Sequence, residues 1–309
     1  MNRVLAHTGA RYPILQAPMG WIARSQLAGA VSRAGGRGII ETSSGETANC
    51  QREIQTMLDS GLPFGVNLPI RFLKDEAMLR YVCEYGIRFV TTSAGSPAKF
   101  MASLKAAGIV VYHAVPTLDT AMKCVDAGVD GLVVEGSEGG GFKNPEEVST
   151  LVLLQAIREK TDIPMIAAGG IVDGRGMAAA FALGAEAIQM GTRFVASAES
   201  PVHANYKQAI VDAAATGTYM LNTKSSPCIR ALKADFTAAI HEAGLMGLSL
   251  AELGTALIAR ITRIVLVGAG GWLLGNFLSR WLRPSLGLVQ SVTLALFPIG
   301  LWLTIAYWS

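Results

Sequence analysis

The sequence predicts an α/β fold of one TIM (β/α)8 barrel, and three observations lead there. Short apolar runs recur eight times, each followed by a stretch with helical spacing. The runs are apolar at successive positions, as buried parallel strands covered on both faces must be. The length of 309 residues suits one such barrel, and 51% hydrophobic against 16% charged residues supplies a large core.

The runs are 13–17 (PILQA), 38–41 (GIIE), 64–68 (FGVNL), 88–92 (RFVTT), 110–114 (VVYHA), 131–135 (GLVVE), 164–168 (PMIAA) and 187–190 (AIQM). The segments between them read as helices. Segment 25–34 opens at Ser25 and stops at Gly35-Gly36, while 96–107 carries Pro97 at its first helical position and closes at Gly108. Segment 117–127 ends before Gly128, 145–160 takes Asn144 as its N-cap, and 173–183 ends before Gly184. A doubly wound open sheet is the alternative, which six strands or fewer would have favoured.

Composition narrows the function. A net charge of +3, with no basic stripe interleaved with aromatics, gives no argument for a nucleic-acid partner. Cys50, Cys83, Cys124 and Cys228 form no CxxC pair, so reduced structural thiols are expected. His7, His113, His203 and His241 build no metal motif. Residues 1–11 lack the apolar stretch of a secretory signal, so the enzyme part is expected to be cytoplasmic.

In such barrels the chemistry lies at the C-terminal ends of the strands. Gly169-Gly170 follows the seventh run and Gly191-Thr192 the eighth, where barrel enzymes often hold a phosphate. Glycines let backbone N–H groups approach phosphate oxygens. A lone glycine pair is more often only a tight turn; two such loops at these two strands are a more specific signal. Asn67 and Gln189 sit at strand ends, where a polar cofactor would satisfy buried amides. The other reading of each is a structural amide.

The run 163–194, IPMIAAGGIVDGRGMAAAFALGAEAIQMGTRF, resembles the phosphate-binding signature of the nitronate monooxygenase (2-nitropropane dioxygenase) family. PILQAPMGW at 13–21, FGVNL at 64–68 and EGSEGGGF at 135–142 are similar to the same family, and the resemblance extends over about 13–236. It implies an FMN-dependent oxidoreductase. Carried over by position, Ala17, Pro18 and Met19 line the flavin and Asn67 hydrogen-bonds the flavin or ribityl chain. Gly169, Gly170, Gly191 and Thr192 cradle the phosphate, and Gln189 reaches the flavin region. NAD(P)H is the candidate reductant.

One position departs from the family pattern. The glycine run after the sixth strand normally ends in a histidine that acts as the base on nitronates; here Phe142 stands there and cannot take a proton. Lys143, Glu138 and His113 are the remaining acid–base candidates. A desolvated Lys143 would titrate nearer neutrality, while a solvated loop lysine is the alternative. His113 lies near the end of the fifth run, as a site residue or a packed histidine. GGGFKNPEE at 139–147 resembles the branch of the family that acts on enoyl or CoA thioesters, including steroid-ring degradation. A flavin-binding barrel without catalysis is the rival from another class. The barrel is expected over 1–243 and a hydrophobic tail over 244–309. Residues 285–309 are uncharged for 25 positions, the length of a membrane span, flanked by Arg280 and Arg283. A pair of buried helices covering the barrel is the alternative for this tail.

Overall fold

The computed structural model describes residues 2–73, 76–223 and 228–245. The chain divides into two compact units, Met1–Val202 and His203–Ser309. The first begins with helix α1 (Arg3–Thr8), capped by Asn2, whose Oδ1 accepts from Leu5 N, and closed by Gly9 at φ +66°. Strand and helix then alternate: β1 (Ile14–Gln16), α2 (Ser25–Arg33), β2 (Gly38–Ile40), α3 (Thr47–Asp59), β3 (Phe64–Pro69), α4 (Ala77–Glu84), β4 (Phe89–Ser93) and α5 (Ala98–Ala106). They continue through β5 (Val110–Val115), α6 (Leu118–Asp126), β6 (Gly131–Glu135), the short β7 (Gly141–Lys143), α7 (Thr150–Arg158), β8 (Met165–Ala168), α8 (Gly174–Ala182), β9 (Ala187–Met190) and the single turn α9 (Thr192–Val195).

Eight of these strands form one sheet in the order β1-β9-β8-β6-β5-β4-β3-β2, every pair parallel. The sheet closes on itself at Leu15 and Arg37, where Gln16 N donates to Arg37 O at 3.0 Å and Arg37 N to Ile14 O at 2.9 Å. All eight expected strands are present, and the fold is a TIM barrel.

Two apolar layers hold it. Leu15, Ile39, Phe89, Tyr112, Val133, Ile166 and Ala187 fill the barrel interior, while Val66, Val90, Val111, Leu132, Met165 and Ile188 face the helices. Successive strand residues point to opposite faces, so these memberships fix the orientation of every strand residue. Tyr112 fills the N-terminal half of the interior because Gly131 leaves it room: a Cβ at Gly131 would stand 2.1 Å from the Tyr112 ring. Helix α1 reaches the same ring, with His7 Nδ1 2.9 Å from Tyr112 Oη.

The expected helix 145–160 begins later than its sequence suggests. Its N-cap is Ser149, not Asn144. The Glu138 carboxylate accepts from Thr150 N at 3.0 Å and fixes the start there, while Asn144 Oδ1 accepts from Glu146 N in a local turn. The second unit contains α10 (Ala204–Asp212), the antiparallel pair β10 (Thr218–Leu221) and β11 (Cys228–Leu232), and α11 (Asp235–Leu245). The proposed span 285–309 lies outside the described residues. No helix among the described residues is long and apolar enough to cross a membrane.

Candidate active site at the barrel mouth

By the alternation of each strand, Asn67, Glu135, Ala168 and Gln189 all face the barrel interior at its C-terminal end. Glu135 stands opposite Ala168 across β6 and β8, and Ala168 opposite Gln189 across β8 and β9. Ala17 joins them, since its N–H donates to Met190 O at 2.9 Å. The segments that follow these strands form the mouth.

One side of the mouth is built of glycine. Gly169 and Gly170 hold φ of +100° and +70°, a region that favours glycine. A Cβ on Gly169 would stand 3.0 Å from Gly139 N and from Thr150 Oγ1, and one on Gly170 would stand 3.2 Å from Glu138 Cβ. The protein itself therefore requires glycine at both. Gly191 differs. Its φ is −103°, and an added Cβ would make only ordinary contacts, at 3.6 Å with Met19 Sδ and 3.7 Å with Ala17 Cβ. The loop after β6 comes over this side, with Gly140 beside Thr192.

The polar groups are unevenly satisfied. Asn67 Nδ2 donates to Thr91 Oγ1 at 3.1 Å and to Thr91 O at 3.2 Å. Gln189 is 8% exposed, and its Oε1 has no hydrogen-bond partner among the described residues. A buried amide oxygen left without a donor is costly, which marks this as a place where a ligand N–H is wanted.

Above the cradle, Phe142 and Lys143 point in contrasting directions. The Phe142 side chain is 52% exposed and stacks on Phe72, with ring centroids 5.5 Å apart and planes 30° from parallel. The Lys143 side chain is 3% exposed, and its ammonium is ion-paired with Glu135. Gly139 makes that pair possible, since a Cβ there would lie 2.9 Å from both Glu135 Oε1 and Lys143 Nζ. Lys143 is not a solvated loop lysine.

Comparison with known proteins now bears on this mouth. Residues 2–266 match nitronate monooxygenase. The chain belongs to the nitronate monooxygenase family. Members of the family are flavin-dependent oxidoreductases, and the chain is such an enzyme. It is 32% identical to a nitronate monooxygenase of Pseudomonas aeruginosa over 72% of this chain and 77% of that one. It is also 32% identical to a (3aS,4S,5R,7aS)-5-hydroxy-7a-methyl-1-oxo-octahydro-1H-indene-4-carboxyl-CoA dehydrogenase of Rhodococcus jostii, over 77% of this chain and 67% of that one. With its Mycobacterium tuberculosis counterpart the identity is 34%, and the match spans only 60% of that protein's length. Among solved structures, FabK from Thermotoga maritima superposes with a TM-score of 0.76 at 38% identity, covering 87% of this chain and 83% of that one.

The expected site residues thus fall into groups. Ala17, Pro18, Met19, Asn67, Gly169, Gly170, Gln189, Gly191 and Thr192 lie on strand ends or loops at the one mouth of this family's barrel. Lys143 is there too. Glu138 is close by, but its carboxylate is taken up by the start of α7, with Thr150 N and Oγ1 both at 3.0 Å. His113 is not brought to the site. It lies on the outward face of β5, 1% exposed, with Nδ1 2.7 Å from Thr92 Oγ1. Burial lowers its pKa to about 4, so it is neutral at physiological pH. Two acids that the sequence analysis does not single out, Glu135 and Glu41, stand at the C-terminal ends of β6 and β2. The signal for both is plain: each carboxylate directly ends an apolar strand run, GLVVE and GIIE.

Proposed function

We propose that the chain is an FMN-dependent oxidoreductase whose substrate is a CoA-type thioester rather than an alkyl nitronate. The observation that carries the substrate reading is the ion pair between the buried Lys143 side chain and the partly exposed Glu135 carboxylate, with Phe142 next to Lys143 in the chain. FMN fits the residues present. The open side of Gly191, beside Gly169-Gly170 and Thr192, suits the phosphate. The unpartnered Gln189 Oε1 suits a ring N–H, and Ala17, Pro18, Met19 and Asn67 would line the isoalloxazine and ribityl groups.

When bound, FMN supplies the hydride chemistry; the protein supplies position and charge. Lys143, held by Glu135 at the inward end of β6, places an ammonium where negative charge would develop on a thioester carbonyl. Phe142 and Phe72 wall the mouth with apolar surface and shield that charge from water. Phe142 stands where the resemblance calls for the nitronate base and offers no proton acceptor. The CoA dehydrogenase relatives accord with this choice of substrate class. NAD(P)H is the proposed reductant of the resting flavin.

The test is anaerobic reduction of the bound flavin by a panel of acyl- and hydroxyacyl-CoA thioesters, by NADH and NADPH, and by alkyl nitronates. Bleaching by a thioester, or reoxidation of the pyridine-nucleotide-reduced flavin by an enoyl thioester, supports the reading. Rapid turnover of nitronates alone overturns it.

A further inference from the structure

Glu41 directly follows β2 and is 0% exposed. Its carboxylate is surrounded by donors from two mouth loops. Oε1 accepts from Trp21 N at 3.2 Å and pairs with Arg24 Nη2 at 2.8 Å. Oε2 accepts from Ser43 N at 2.6 Å, Ser43 Oγ at 2.8 Å and Ser44 N at 3.1 Å. Every one of these groups lies after β1 or after β2.

The Trp21 contact is the informative one. Trp21 holds φ +60°, left-handed backbone that a bulky side chain takes only when its surroundings impose it. The segment that ends at Trp21 is the one that begins at Ala17. Its first residue is pinned by the Ala17 N–Met190 O hydrogen bond, and its middle lies against Gly191 through Met19. Its last residue is pinned by Glu41. The strain at Trp21 is thus offset by a buried carboxylate at the far end of a loop whose other end borders Gly191.

We propose that Glu41 is the positioning residue for the 17–21 loop, holding the backbone that faces FMN in its strained form through the Trp21 amide. This rests on the FMN reading above. Arg24 also pairs with Glu46 at 3.1 Å, so a neutral residue at 41 does not leave the guanidinium without a partner.

The experiment titrates FMN into the flavin-stripped full chain and records the thermal midpoint of each variant. Glu41→Gln is expected to raise the FMN Kd about tenfold or more, because the acceptors for the loop amides are halved. Glycine adopts φ +60° without strain and keeps the amide, so Trp21→Gly should retain its thermal midpoint. In that background the strain that Glu41 offsets is gone, and adding Glu41→Gln should cost only about threefold in Kd. A Glu41→Gln protein that binds FMN within about twofold of wild type overturns the proposal, as does an equal loss in both backgrounds. Should Glu41→Gln fail to fold alone, the same cycle is run with Glu41→Asp, which keeps the charge but draws the carboxylate back from the Trp21 amide, and an equal loss of FMN affinity in both backgrounds again overturns the proposal. Wild-type protein that binds no FMN overturns the cofactor reading, and this inference with it.

Discussion

The Lys143 ammonium rests against the Glu135 carboxylate beneath the loop that carries Phe142. Two adjacent residues of β7 therefore take opposite parts: an aromatic ring in the open mouth and a cation buried behind it. If the cation stabilises charge on the substrate, Lys143→Ala should lower kcat about 10²-fold or more while FMN stays bound. Glu135→Gln should impair turnover through the same ammonium. Steady-state kinetics beside flavin content checks both. Unchanged kcat in Lys143→Ala would remove Lys143 from the chemistry.

Phe142→His restores the residue type that the family pattern carries at that place. The side chain is half in solvent, so the exchange carries little folding cost. Gained turnover of alkyl nitronates, followed by oxygen uptake, is the expected outcome. An inert variant with FMN bound would show that more than the histidine separates this mouth from nitronate chemistry.

Glycines 170 and 191 separate folding from binding. At Gly170, with φ +70° and Glu138 alongside, alanine should destabilise the fold by about 1–2 kcal/mol whatever is bound. At Gly191 the protein has room for a methyl group, so alanine should leave the thermal midpoint of flavin-free protein nearly unchanged. Its FMN Kd should nevertheless rise about tenfold, because the methyl would take the approach of the phosphate. Equal FMN affinity in Gly191→Ala and wild type would place the phosphate elsewhere.

His113 makes stability depend on pH in a defined direction. Burial holds its pKa at about 4, against 6.5 for the free side chain. Above pH 6.5 it is neutral in both states, and its contribution is complete. As pH falls from 6.5 toward 4 the unfolded chain takes the proton first, and up to about 3 kcal/mol of stability is lost. Thermal midpoints between pH 7.5 and 4 should fall less steeply in His113→Leu than in wild type. Superimposable profiles would contradict this account of the histidine, as would loss of flavin from the variant.

The barrel was legible because its strands are buried on both faces, and apolar runs such as GLVVE and PMIAA have no competing reading at that length. The glycine loops were legible as the loops after the last two strands, while the packing that demands glycine at 169 and 170, against Gly139, Thr150 and Glu138, shows only in the folded chain. Side-chain orientation was not. His113 and Tyr112 are neighbours in VVYHA, and only the assembled core decides that the tyrosine fills the lumen while the histidine faces a helix. The start of α7 escaped because Asn144-Pro145 is a sound local signal overridden by Glu138, twelve residues before Thr150. Helix α1 carries its own signals, Asn2 and Gly9, but is too short for periodicity to show. Glu41 and Glu135 were visible as strand-ending acids; the partner of Glu41, Trp21, comes from another loop, while Lys143 lies eight residues after Glu135 and meets it only when the loop after β6 folds back.

The central claim is that this barrel mouth holds FMN, and the visible spectrum of purified full-length protein tests it most directly. The account predicts a yellow protein with flavin absorption bands, releasing FMN in near-equimolar amount on denaturation, or regaining those bands when stripped protein is given FMN. A colourless protein that takes up no FMN on reconstitution would contradict it.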